Sequence, residues 1–158
     1  MEQMGFATAS VSGTGVSEPH LGWADKDVMS FKDNLEACRT FAACADLPLM
    51  ADGDTSYGNA VSVYFTVQAL EDAGLYCLMI EDQVWPKRCG HMDNKEVVDL
   101  DEAVSKIATS VQSRKSEDFL IMARTDSRAT HGLNEALRRG EAFLKVGADI
   151  LFIEAPAS

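Results

Sequence analysis

The chain is poor in basic residues, in cysteine pairs and in long apolar runs, and each shortage removes a class of function. Only 14 Lys and Arg stand against 25 Asp and Glu, a formal net charge of −11. No basic block interrupts that balance, so neither nucleic acid nor an anionic membrane is an expected partner. No apolar stretch reaches the roughly 18 residues that a membrane-spanning helix needs. The opening Met1-Glu2-Gln3-Met4-Gly5 lacks a basic segment leading into an apolar one, so a secretory signal is not expected. The four cysteines, Cys38, Cys44, Cys77 and Cys89, form no C-x-x-C pair and no regular framework. Free thiols in a cytoplasmic protein are the plain expectation.

What remains is ordinary for a globular domain. The 158 residues are 46% apolar, enough for one domain with a core. An acidic chain binds an acidic substrate only where a cation or a local Arg/Lys cluster reverses the field. A metal is therefore worth looking for.

Five short apolar runs stand out at 6–12, 47–51, 75–80, 119–123 and 149–153. Most lack apolar/polar alternation, as strands buried on both faces of a parallel sheet do. Helical spacing lies between them. Phe31, Leu35, Cys38, Ala42 and Ala45 recur at steps of three and four, and so do Val63, Val67 and Leu70, with Gly74 as a stop. Val104, Ile107, Ala108 and Val111 follow Asp99-x-x-Glu102, a capping-box pattern. Leu133, Leu137, Gly140 and Leu144 precede Gly147, a second stop. Strand and helix alternate throughout, which predicts an α/β fold with a parallel sheet. Five such units suit an open doubly wound sheet by length, whereas a β/α-barrel needs eight strands.

The polar residues cluster at the strand ends. The second run leads into Ala51-Asp52-Gly53-Asp54-Thr55, the third into Ile80-Glu81-Asp82-Gln83, the fourth into Ala123-Arg124-Thr125-Asp126 and the fifth into Ile153-Glu154. The first ends in Ser12-Gly13-Thr14-Gly15, small residues that let backbone N–H groups approach a ligand. C-terminal strand ends form the ligand site in parallel α/β folds. Asp52, Asp54, Glu81 and Glu154 are thus expected to converge with Arg124. Crowded carboxylates repel unless a cation neutralises them, and a hard ion with oxygen ligands suits them. Mg²⁺ fits best, with Mn²⁺ as a substitute. The competing reading is that each acidic residue merely starts a loop. A calcium loop is excluded, because Asp52-x-Asp54-x-Ser56 has Gly58 at its seventh position and Val63 at its twelfth, where Glu is needed.

Trp85-Pro86-Lys87-Arg88-Cys89-Gly90-His91-Met92 is the densest chemical segment. Two cations and a histidine around one cysteine favour a thiol that carries protons. A buried inert thiol is the alternative, and is the expectation for Cys38 and Cys77.

Together these segments resemble the isocitrate lyase/phosphoenolpyruvate mutase superfamily. ADGDTSYGNA is similar to its metal-binding stretch and IEDQVWPKRCGHM to its strand-end Glu and mobile loop. ARTDSR and FIEAP resemble two later strand ends, and SGTGVSEPHLGWAD a substrate-binding loop that ends in an Asp. The resemblance implies a (β/α)8 TIM barrel of which strands 2 to 6 are present, in a single incomplete domain, and a homotetramer for the full-length protein. It implies that Asp52, Asp54 and Glu81 surround Mg²⁺, that Ser12, Gly13 and Thr14 bind a carboxylate, and that Asp25 closes off the metal site. It further implies that Arg124 meets the substrate's oxygens, that Glu154 is the lyases' strand-end Glu, and that Lys87, Cys89, Gly90 and His91 form the closing loop.

The activity implied is Mg²⁺-dependent cleavage of a C–C bond in a small 2-oxo or 2-hydroxy di- or tricarboxylic acid, of the methylisocitrate, dimethylmalate or oxaloacetate type. Cys89 would be its general acid. Phosphonate chemistry and an inactive fragment are the alternatives. Two positions depart from the family pattern: Ser56 replaces a usual Gly, and Ser10 replaces a usual aromatic residue.

Overall fold

The computed structural model describes residues 2–26, 28–89, 92 and 94–154. Its five strands are β1 (Ala9–Val11), β2 (Leu49–Asp52), β3 (Cys77–Glu81), β4 (Leu120–Thr125) and β5 (Ile150–Ile153). Its helices are α1 (Gly13–Ser17), α2 (Phe31–Cys44), α3 (Ala60–Asp72), α4 (Leu100–Ser113), α5 (Ser127–His131) and α6 (Leu133–Lys145). Each predicted apolar run overlaps one strand, which is displaced toward or past the run's C-terminal end.

The sheet is parallel throughout, in the order β1-β2-β3-β4-β5. That order decides between the two architectures. A doubly wound sheet reverses direction at a switch point, where its ligand binds. Here every crossover steps the same way, as in a barrel wall. The fold is α/β, a run of consecutive units of a TIM-type barrel.

The helices cover one face of this wall. Val63, Val67 and Leu70 of α3 are buried with Leu78 and Ile80 of β3, Ala103 and Ile107 of α4, and Ile121 and Ala123 of β4. Cys38 and Cys77 lie in the interior as predicted, where burial pushes their thiols up to about 12 and about 11. Gly74 and Gly147 adopt φ of 88° and 99°, the left-handed stops expected of them.

The helix starts differ from the prediction. Asp99 does sit at the N-cap of α4, but its side chain makes no capping hydrogen bond. Glu102 instead reaches Lys106 at 3.5 Å, one turn on. The reciprocal capping box forms at α2, between Ser30 and Asp33. A first-turn carboxylate serves there as Glu commonly does, stabilising the start of the helix that positions Asn34.

Candidate active site

Parallel strands deliver their C-terminal ends to one edge, and register makes neighbours of the residues there. Glu81 pairs with Arg124 across β3 and β4, and Asp52 lies beside Met79. The chain then turns sharply. Asp54, Ser56 and Tyr57 have φ of 48°, 65° and 57°, a left-handed run without a glycine among the three. Ser56 therefore occupies a position whose geometry favours Gly, and its hydroxyl is buried with no hydrogen-bond partner among the described residues.

Inward hydrogen bonds hold this turn. Asn34 of α2, fully buried, donates through Nδ2 to the Asp52 carbonyl and to the Tyr57 hydroxyl, both at 2.8 Å. Tyr57 in turn donates to Asp54 Oδ2 at 3.5 Å. The backbone N–H of Asp54 donates to Asp52 Oδ1 at 3.1 Å. Gly13 N–H donates to Asp52 Oδ2, also at 3.1 Å. Thr14 donates its hydroxyl to Asp25 Oδ2 at 2.6 Å. Ser12 caps α1, accepting from Gly15 N–H. The Gly13 and Thr14 donors thus face the chain's own carboxylates in this structure.

The segment after β3 folds over the same edge. Lys87 is buried with Nζ 2.9 Å from Asp25 Oδ1 and 2.8 Å from Asp54 Oδ1, bridging two loops. Burial works against its charge, but Asp54 and Glu81 outweigh that and hold the ammonium well above its ordinary pKa. Cys89, half-buried, lies close enough to Asp25 for its thiol to help lower that carboxyl. Burial would raise the Asp25 carboxyl, yet Thr14, Lys87 and Cys89 together hold it below the usual range. Lys87 is engaged by the carboxylates of Asp25 and Asp54, and Asp25 is shared with the Cys89 surroundings. Gly90 and His91 lie outside the described residues.

Arg124 anchors the other half of the site. Its Nε and Nη2 reach Asp126 at 2.9 and 3.1 Å, its Nε reaches Glu81 at 3.4 Å and its Nη2 reaches Glu154 at 3.6 Å. Burial pushes the Glu81 carboxyl well above the usual range, and Arg124 and Lys87 only partly offset this.

Asp52, Asp54, Glu81, Glu154 and Arg124 are thus brought to one edge, with Asp25, Thr14, Lys87 and Cys89 against them. Sequence reasoning missed Asp126, Lys95, Asn34 and Tyr57. Asp126 was in plain view within the Arg124 segment. Asn34 had a weaker signal, a polar residue on the apolar face of a helical pattern.

The donor set suits a hard divalent cation. Six carboxylates, of Asp25, Asp52, Asp54, Glu81, Asp126 and Glu154, face the three cations Lys87, Lys95 and Arg124. Glu81 Oε1 is buried without a hydrogen-bond partner among the described residues, an acceptor left for an added donor or ion. A Cβ at Gly13 would come within 3.2 Å of Asp54 Oδ1 and 3.3 Å of Asp52 Oδ2, so a small residue keeps these carboxylates accessible. Among the described residues no three of His, Cys, Asp and Glu form a ready-made cage. Mg²⁺ needs none, because it retains waters and takes one or two direct carboxylates.

Comparison with known proteins agrees with this layout. The phosphoenolpyruvate phosphomutase family matches residues 1–158. The chain is 44% identical over 154 residues to 2,3-dimethylmalate lyase of Eubacterium barkeri, covering 98% of this chain and 53% of the relative. It therefore spans about half the length of the curated relatives it matches. Among solved structures, oxaloacetate acetylhydrolase bound to the inhibitor 3,3-difluorooxalacetate superposes with a TM-score of 0.95 at 32% identity, over 99% of this chain and 54% of that one. Phosphonopyruvate hydrolase with oxalate and Mg²⁺ superposes at 0.85 and 35% identity, over 97% of this chain and 52% of that one. With strand order, strand-end acids and a match along its whole length all in accord, this chain belongs to the phosphoenolpyruvate phosphomutase family, within the PEP mutase/isocitrate lyase superfamily.

Proposed function

We propose that the protein is a Mg²⁺-dependent carbon–carbon lyase acting on a small 2-oxo or 2-hydroxy di- or tricarboxylate, with Cys89 as its general acid. The observation that carries this reading is what one segment brings to the strand ends: Lys87 seated between Asp25 and Asp54, with the Cys89 thiol near the same Asp25 carboxyl. A loop that brings a cation and a proton donor to a carboxylate cluster suits chemistry at a carbon next to a carboxylate.

Asp52, Asp54 and Glu81 would hold the ion, partly through water. A bound Mg²⁺ supplies Lewis-acid stabilisation of negative charge on substrate oxygens. Arg124 adds a fixed positive charge to the same oxygens, already oriented before substrate arrives. Ser12, Gly13 and Thr14 border the space where the substrate carboxylate would lie, and Gly90 and His91 would complete the loop. As the C–C bond breaks, its electron pair leaves with the carboxylate-bearing fragment. The Cys89 thiol gives that carbon its proton and is reprotonated from solvent before the next turnover. The substrate hydroxyl would pass its proton to Glu154, the carboxylate beside Arg124, as its carbon becomes a carbonyl, and Glu154 would return that proton to solvent. Lys87 and Asp25 draw the loop down and exclude water while this happens.

The dimethylmalate lyase relative supports the lyase reading, and the hydrolase likeness keeps phosphonate chemistry as the second one. The purified protein is to be mixed with 2,3-dimethylmalate, 2-methylisocitrate, oxaloacetate and phosphonopyruvate, with Mg²⁺ and again after EDTA. The expected result is a C–C cleavage product that requires the ion, and a Cys89→Ser variant slowed about a hundredfold. No ion-dependent product from any of these acids overturns the lyase reading. Turnover of phosphonopyruvate that survives Cys89→Ser establishes the second reading instead.

A further inference from the structure

Behind Arg124 lies a set of buried ions that the reaction above does not use. Asp126 is fully buried and takes both Nε and Nη2 of Arg124. Lys95, also buried, places Nζ 3.0 Å from Asp126 Oδ1. Asp82 fixes the backbone at this point, accepting from Asp126 N–H at 2.9 Å, from the Thr125 hydroxyl at 2.7 Å and from Arg139 Nη1 at 3.0 Å.

Lys95 comes from the same segment as Lys87 and Cys89. That segment rises from a short clasp, in which Val84 N–H donates to the Glu96 carbonyl at 2.9 Å and Gln83 bridges Val97 antiparallel. Gln83 also pins Arg88, accepting from its N–H and donating to its carbonyl. Lys95 is therefore next to the foot of the loop, and its ammonium reaches across to the end of β4.

Charge balance gives that contact a purpose. Asp126, Glu81 and Glu154 all lie within 3.6 Å of one guanidinium. Were Arg124 the sole cation among them, its charge would be neutralised inside the chain. Lys95 meets the same Asp126 Oδ1 that takes Arg124 Nη2, so Asp126 is shared between two cations and Arg124 carries less of its charge alone. Arg124 Nη1 makes no hydrogen bond among the described residues.

We propose that Lys95 is a positioning residue: through Asp126 it fixes the orientation of the Arg124 guanidinium, and so couples the foot of the thiol-bearing loop to the cation that faces the substrate. The substrate side of this rests on the reading of Arg124 given above. The test has two arms. In the first, NMR of ¹⁵N-arginine-labelled protein, free of metal and substrate, follows the Arg124 Nε–H signal, assigned with Arg124→Lys. The signal is expected to be slow to exchange in the wild type, displaced or broadened in Lys95→Met, and restored in Lys95→Arg. In the second arm, oxalate is titrated calorimetrically with Mg²⁺ present. Its dissociation constant is expected to rise about tenfold or more in Lys95→Met, the range seen when supporting residues around a site are lost, and to recover in Lys95→Arg.

An Arg124 signal indifferent to Lys95→Met overturns the proposal, and so does an affinity loss that Lys95→Arg fails to rescue. Should Lys95→Met fail to fold, a rapidly exchanging Arg124 Nε–H in the wild type overturns it equally, as does an unchanged signal in Asp126→Asn. Failure of the wild type to bind oxalate with Mg²⁺ counts against the lyase reading alone, since the first arm decides the Lys95 contact without ligand.

Discussion

Two ion clusters lie side by side at the rim of this sheet and follow opposite rules. Around Asp82 and Asp126 every carboxylate oxygen has a donor, from Thr125, Arg139, Lys95, Arg124 or the backbone. Around Asp54 and Glu81 one ammonium bridges separate loops, and Glu81 Oε1 is buried without a hydrogen-bond partner among the described residues. A saturated buried network rigidifies, whereas an under-satisfied one is costly unless something else completes it. The first cluster is built as scaffold, and the second leaves an acceptor that an added ion or donor would complete.

That contrast can be broken most severely from the scaffold side. Asp82→Ala leaves the Arg139 guanidinium buried without this partner, and removes the acceptor for Asp126 N–H. Loss of one member of a buried pair costs about 3–5 kcal/mol, and chemical denaturation should register it.

A smaller and opposite effect is expected from Glu81→Gln in metal-free protein. Glu81 holds its proton more tightly folded than unfolded. Folded-state stability therefore falls as pH rises from the unfolded carboxylate range, about 4.3, toward the raised folded value. Glu81→Gln removes that slope and gains about 1–3 kcal/mol at neutral pH, the scale of an unsatisfied buried group. Melting curves across pH check the sign: a variant that remains less stable than wild type at pH 7 contradicts it. If the ion binds as proposed, Mg²⁺ should raise the melting temperature of the wild type and not that of this variant.

Ser56→Gly should stabilise by about 1 kcal/mol, because glycine adopts the left-handed conformation without the Cβ penalty. It also deletes a hydroxyl that has no partner among the described residues. A drop in melting temperature would show that the turn tolerates Ser for a reason other than strain. The smallest effect belongs to the outer surface of α6. There the Arg138 hydrogen bonds, with help from Arg139, hold the Glu135 carboxyl down at about 2. The stability this pairing gives is present above the unfolded range and is lost as pH falls through about 2. The difference between wild type and Glu135→Gln should fade over that window.

The sequence revealed the scaffold's outline better than its inner wiring. Buried parallel strands announce themselves as short apolar runs, and the charged residues that end them mark one edge of the sheet, so the convergence of Asp52, Asp54, Glu81, Arg124 and Glu154 was legible. Lys95 was not, since it lies in a polar stretch that reads as a solvated loop, and only the fold brings it to Asp126. Asp99-x-x-Glu102 had the right spacing for a cap, but Glu102 had a better partner in Lys106. The open-sheet alternative could not be dismissed by length, because strand order is a property of the assembled sheet.

The clasp of Gln83 and Val84 against Glu96 and Val97 has an evolutionary corollary. It works like the base of a crane, fixed to the wall while the boom above it changes. Insertions or replacements in the boom can reshape the segment that carries Lys87 and Cys89 and leave the supporting architecture alone. Divergence among enzymes of this design should therefore concentrate above the clasp.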